Sequence, residues 1–164
     1  TYSPDRQPTL ERLLLEPARR DASLRMAVAG PQYPEEIAWP ENVRRIPHLP
    51  PLEHRAFYNA TRWTLNVTRA DMIRAGWSPS VRLFEAAACG APVLSDWWEG
   101  LDEFFEPGRE IEVAAGTEEA LAILHDVPEE QRRAVGENAR RRVLREHTAA
   151  HRAAQLSRML TDAL

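Results

Sequence analysis

The residues best suited to chemistry fall in one stretch, Ser78-Pro79-Ser80-Val81-Arg82-Leu83-Phe84-Glu85-Ala86-Ala87-Ala88-Cys89-Gly90. It reads as a loop, a helix with Glu85 in its early part, and a glycine stop. The first N–H groups of such a helix have no acceptor within it, so its start suits the oxygens of a nucleotide diphosphate. The Glu85 carboxylate can accept hydrogen bonds from two adjacent ribose hydroxyls. Ala86, Ala87 and Ala88 are small enough to let the helix lie close against a sheet.

Other chemistries find less support. There is no Asp-x-Asp pair for a metal-bound diphosphate, no Gly-x-Gly-x-x-Gly, and no phosphate-binding loop of the Gly-Lys-Ser/Thr kind. All 21 basic residues are Arg, which excludes mechanisms that need a lysine. His147 and His151 have helical metal-pair spacing but no Cys or carboxylate at ligand spacing, so they read as a solvated face. Cys89 is the single cysteine and reads as a small core residue, with no disulfide framework and a cytoplasmic setting implied. Trp97 and Trp98 could stack on a sugar, but adjacent aromatics more often divide between core and surface. Arg140-Arg141-Arg142, flanked by Glu137 and Glu146, reads as a solvated helix face.

The chain of 164 residues, 43% hydrophobic and 28% charged, fits one globular domain. A net charge of −4 argues against a general nucleic-acid binder, and no run of apolar residues is long enough to span a membrane. The start lacks an initiator Met, so the chain is expected to be a piece of something longer.

The elements that must position Glu85 follow from periodicity and breakers. A helix is expected over Pro8 to Arg20, with Leu10, Leu13, Leu14 and Pro17 on one face. Strands are expected at Leu24–Ala29, Val43–Ile46, Trp63–Thr68, Pro92–Ser95 and Ile111–Val113. Helices are expected at Leu52–Ala60, Val81–Cys89, Leu101–Phe105 and Thr117–His125, and from Pro128 to the end. Arg69 to Ser80 lacks clean periodicity and reads as a loop. Alternation of strands and helices predicts an α/β fold, a Rossmann-like doubly wound parallel sheet flanked by helices, with C-terminal helices. Loops after Val28, Ile46, Val67 and Leu94 then face one crevice. Thr1 to Arg6 reads like the loop that follows a first strand.

The stretch from Ser78 to Leu94, followed by Gly100-Leu101-Asp102-Glu103-Phe104-Phe105 and Pro107-Gly108-Arg109-Glu110, resembles the C-terminal domain of two-domain GT-B glycosyltransferases. Within them it is most similar to the CgeB-like, spore-protein-type group, as is Leu65-Asn66-Val67-Thr68-Arg69. The resemblance implies a single nucleotide-sugar-binding domain over 1–164, with the N-terminal acceptor domain absent from this chain and the piece inactive alone. It implies that Glu85 binds the donor ribose and that the amides of Ser80 and Val81 hold the diphosphate. Arg6 is the nearest match to the family's phosphate-binding arginine, Arg82 supplies further charge, and His48 and Leu49 meet the base. It implies no cofactor and no metal, only a nucleotide-diphosphate sugar as donor substrate. A second glutamate of the family motif, eight positions before Glu85, is replaced by Trp77. The alternatives are a non-catalytic nucleotide-binding or interaction module, and half of a sugar-nucleotide epimerase.

Overall fold

The computed structural model describes residues 2–163. After a 3-10 turn at Pro4–Arg6 the chain enters α1 (Gln7–Leu10), which passes through a π-helical turn at Glu11–Leu15 directly into α2 (Glu16–Arg20). Leu10, Leu13, Leu14, Leu15, Pro17 and Ala18 are all buried along this stretch, as the apolar spacing requires. The wider π turn places Leu13, Leu14 and Leu15 inward in succession, more than a regular helical stripe allows.

β1 (Met26–Ala29) and β2 (Val43–Ile46) form a parallel pair, with Met26 opposite Val43 and Ala29 opposite Ile46. A 3-10 turn at Pro51–Glu53 leads into α3 (His54–Asn59) and then β3 (Thr64–Asn66). The expected loop from Arg69 to Ser80 instead contains α4 (Ala70–Ala75). Extended Arg69 precedes it, Asp71 stands in its first turn, and Gly76 at φ 64° ends it. Six residues are too few to display a helical period, which is why periodicity missed it.

α5 (Val81–Ala88) returns the chain to β4 (Val93–Ser95), then α6 (Leu101–Phe104) and β5 (Glu112–Val113). β3, β4 and β5 form a second parallel sheet in that order. This is the predicted α/β architecture of parallel strands flanked by helices, with the strands divided between two sheets. α7 (Thr117–Asp126), α8 (Glu129–Glu146) and α9 (Ala149–Asp162) complete it.

α5 buries Leu83, Ala86 and Ala87 completely, in a cluster with Val93, Trp98, Leu101, Phe105 and Ile111. Each large apolar side chain buried this way contributes about 1.5–3 kcal/mol. Trp98 lies in that core, while Trp97 is half exposed, so the pair splits as adjacent aromatics usually do. α8 crosses α5 closely at Gly136, where a Cβ would stand 2.3 Å from the Gly90 carbonyl oxygen. α9 buries nothing among its described residues, and Leu156, Met159 and Leu160 face outward. Leu164, expected on the same face, lies outside the described residues, as does Thr1.

Candidate functional site

A cleft of about 1510 Å³ opens beside α5 and runs down between the two sheets. Arg6, His48, Leu49, Ser80, Val81, Arg82 and Glu85 all line it. Arg6 precedes α1, His48 and Leu49 follow β2, and Ser80 to Glu85 come after β3, so the topology gathers residues far apart in sequence. Trp97 and Trp98 are not among the lining residues, and neither is Trp77.

At the start of α5 the backbone of Ser80 is extended and its hydroxyl makes no capping bond. Val81 is 68% exposed, which leaves the first turn open to solvent on the cleft side. Glu85 stands one turn further on. Its Oε2 accepts a hydrogen bond of 3.2 Å from the phenol of Tyr58 on α3, whose ring packs in the same core as α5. Burial, then the neighbouring Glu85 charge, pushes the Tyr58 phenol up to about 12, so it stays a donor at neutral pH.

Arg82 points back over the sheet and donates to Asn66 Oδ1 at 3.2 Å. Asn66 is fully buried and in turn donates to Thr68 Oγ1 at 3.0 Å and Ser95 Oγ at 2.9 Å. Thr68 gives both its N–H and its hydroxyl to Asp96 Oδ1, at 3.0 and 2.7 Å. The Asp96 carboxyl is raised above the usual range by burial, against the opposing pull of the Thr68 bonds. A neutral-to-acidic chain of hydrogen bonds therefore anchors the arginine that faces the cleft.

Arg6 comes from the turn that precedes α1. Its guanidinium is held below its ordinary value, first by burial and then by the charge of Arg82. Two like charges kept this close favour an anion between or beside them. Behind Tyr33, which lines the cleft, Arg45 lies 4.0 Å from the Tyr33 ring centroid and 4.3 Å from that of Trp39. It also donates to the carbonyls of Val28 and Gly30, at 3.1 and 3.2 Å, and so fixes the loop after β1. His48 is exposed at the mouth, and the Leu49 carbonyl is 3.2 Å from His54 Nε2.

Trp77 takes a left-handed backbone conformation, φ 42°, and lays its indole against Gly100. Its Nε1 donates to Glu103 Oε1 at 2.9 Å. It thus braces the turn before α6. Among the described residues, no group of three or more His, Cys, Asp or Glu could hold a metal ion.

Sequence reasoning missed Tyr58, Asn66 and Asp96. The signal was present for Asn66: a polar residue in the middle of a short run read as a strand must find partners wherever the sheet buries it.

A family model described as glycosyl transferase-like matches residues 6–158. The chain belongs to this glycosyl transferase-like family. The match includes every residue named above for the mouth of the cleft. Comparison with curated proteins finds no match. Among solved structures, this glycosyl transferase-like chain is similar to Anabaena Alr3699/HepE in complex with UDP-glucose, with a TM-score of 0.75 at 14% identity. That likeness covers 98% of this chain and 46% of the other. It is also similar to sucrose-phosphate synthase (tll1590) from Thermosynechococcus elongatus, with a TM-score of 0.69 at 19% identity, covering 93% of this chain and 42% of the other. The chain thus has the fold of one half of a GT-B architecture and spans less than half the length of either protein. No described helix is long and apolar enough to cross a membrane.

Proposed function

We propose that this chain is the donor-binding part of a glycosyltransferase, holding a nucleotide-diphosphate sugar at the mouth of the cleft. The observation that carries the reading is the convergence of Arg6, Arg82 and Glu85 around the open start of α5. Glu85 accepts from the paired ribose hydroxyls. The amides of Ser80 and Val81 and the positive end of the helix face the diphosphate. His48 and Leu49 flank the base. The UDP-glucose bound by HepE supports a nucleotide sugar as the ligand class.

As the sugar departs, negative charge grows on the diphosphate oxygen it leaves. Arg6, Arg82 and the helix start stabilise that charge, so no metal ion is required. The acceptor is presented by a second domain, which closes over the donor and excludes water. The motif from Arg82 to Gly90 supports kinship with the CgeB-like group. Free Cys89 fits a reducing compartment such as the cytoplasm.

Calorimetric and thermal-shift titration with UDP, GDP, TDP and their sugars, in the presence of EDTA, tests this reading. One nucleotide is expected to raise the melting temperature by mass action, and Glu85→Ala to abolish the response. Equal binding by the Glu85→Ala variant would sink it.

A further inference from the structure

His147 stands where the last two helices meet, and it is not the solvated residue that its spacing from His151 suggests. α8 ends on it: its N–H donates to the Val143 carbonyl at 2.8 Å, and extended Thr148 then opens α9. Its ring lies among three phenyl rings, with centroids 5.5 Å from Phe84, 5.8 Å from Phe104 and 6.2 Å from Phe105. Phe84 belongs to α5, Phe104 to α6, and Phe105 follows α6 directly. The ring Nε2 is out of contact with solvent. The imidazole therefore plugs the corner into the body of the domain.

The other ring nitrogen fixes its protonation state. Nδ1 lies 2.7 Å from Arg152 Nη2, in the first turn of α9. A guanidinium only donates, so Nδ1 holds a free lone pair and the ring is neutral. The same Arg152 nitrogen donates to the Glu146 carbonyl at 2.8 Å, so Arg152 clasps the end of α8 from within α9. The rest of α9 gives little purchase: none of its described residues is buried, and Leu156, Met159 and Leu160 face outward. Thr148 caps its start, where Oγ1 accepts from the His151 N–H at 3.4 Å and lies 2.7 Å from His151 Nδ1. That cap shapes the helix, and the clasp on His147 sets its direction.

The charged groups that face the ring come from α8 and α9. Burial first, then the charges of Arg152 and Arg142, hold the imidazole below its ordinary value of 6.5, against Glu146 and the Phe104 backbone. Glu146 is already shared by Arg142 and Arg145, each at 2.8 Å. α5 and α6 present phenyl rings to it, and the Glu103 carboxylate of α6 is engaged by Trp77 Nε1 at 2.9 Å. The end of α8 favours a positive charge here and the start of α9 opposes it, so neither helix dipole decides.

We propose that His147 is a proton-operated latch: neutral, it holds α9 on the end of α8, and a proton taken up at Nδ1 releases it. The proton occupies the lone pair that Arg152 requires and sets two cations in contact. An ionised ring also loses its place among Phe84, Phe104 and Phe105, which offer it no counter-charge. The neutral ring belongs to the latched form, so the latch is complete above about pH 6.5 and weakens as pH falls below it. Release redirects the apolar stripe of Leu156, Met159 and Leu160. His147, Arg152 and the three phenylalanines do not line the cleft, so the latch stands apart from donor binding.

The test places spin labels at Gln131 on α8 and Ser157 on α9, both exposed, in a Cys89→Ala chain. Label-to-label distances are read at about pH 7.5 and about pH 5.5, beside an NMR titration of the histidine rings. One distance is expected at the higher pH, and a distribution about twofold broader or displaced at the lower, following the His147 titration. His147→Gln keeps an oxygen that accepts from Arg152 and takes no proton, so its distances should not change with pH. His151→Gln should respond as the unsubstituted chain does. Arg152→Gln removes the opposing cation, and the His147 midpoint should rise towards its ordinary value, a reading that stands even if His147→Gln does not fold. An unchanged distribution, an equal change in His147→Gln, loss of the response in His151→Gln, or a midpoint unmoved by Arg152→Gln would overturn the proposal. Nucleotide titration is read separately, so failure of donor binding leaves this result standing.

Discussion

The phenol of Tyr58 donates to Glu85 Oε2 at 3.2 Å, joining α3 to α5 through the carboxylate proposed to hold the ribose. Tyr58 is 8% exposed and its ring packs in the main core, so the hydrogen bond is set by a rigid wall. Tyr58→Phe keeps the ring and removes only the donor. We expect it to weaken nucleotide binding several-fold, less than Glu85→Ala, and to lower stability by about 0.5–1.5 kcal/mol. Calorimetry on the two variants side by side checks the order; a Tyr58→Phe loss as large as that of Glu85→Ala would contradict a positioning role.

The same phenol makes stability depend on alkaline pH. Its folded value is raised from the usual 10 to about 12, so the folded state holds the proton longer than the unfolded chain. Its contribution is complete below about pH 10 and is lost as pH rises through about 12. Thermal melts of the wild type should fall more steeply across that window than those of Tyr58→Phe.

Arg82 faces the cleft and is anchored by the neutral amide of Asn66. Arg82→Gln preserves that hydrogen bond in kind but removes the charge. Affinity for a nucleoside diphosphate is expected to fall about tenfold or more, while affinity for the bare nucleoside stays within about twofold. Parallel titrations with both ligands read this directly, and an equal loss for both would place Arg82 away from the phosphates.

Asp96 carries a buried carboxyl whose folded value is raised above the ordinary 3.8, chiefly by desolvation. Its Oδ2 has no hydrogen-bond partner, whereas Oδ1 accepts two bonds from Thr68. A raised carboxyl favours the protonated fold, so its contribution is present below the ordinary value and is lost as pH rises through the folded one. Urea unfolding should therefore show the wild type losing stability relative to Asp96→Asn from about pH 4 towards neutrality. A difference between the two that does not change with pH would rule this out.

Gly136 lets α8 approach the turn after α5. A methyl group there would meet the Gly90 carbonyl oxygen at 2.3 Å and Pro92 Cδ at 3.2 Å, so backbone must move. Gly136→Ala, although favourable to an isolated helix, is expected to destabilise by about 1–3 kcal/mol, lowering Tm by several degrees. A rise in Tm would show that the helices separate without cost.

Much of the molecule was legible in one dimension. Apolar spacing in the segment from Pro8 to Arg20, short β-rich runs ended by Gly30 and Pro47, and a helix stopped by Gly90 were enough to give an alternating α/β order. The loop–helix–glycine pattern from Ser78 to Gly90 singled out Glu85 and the start of α5, because helix ends and breakers act over a few residues. Local signals were weaker for α4, whose six residues complete too few turns to show a period.

Tertiary structure decided everything that depends on residues distant in sequence. Tyr58 meets Glu85 only because α3 and α5 pack into one core beside the cleft. Asn66, Thr68 and Asp96 form one network only because β3 and β4 lie side by side. Trp77 is set against Gly100 and away from the cleft by a backbone conformation that residue type does not announce. The division of the strands into two sheets is likewise invisible to periodicity, which reports which face a residue buries and not which neighbour its backbone pairs with. Residue type and spacing therefore determined the elements and the chemistry they carry, while the packing of helices on parallel strands determined which of those groups meet.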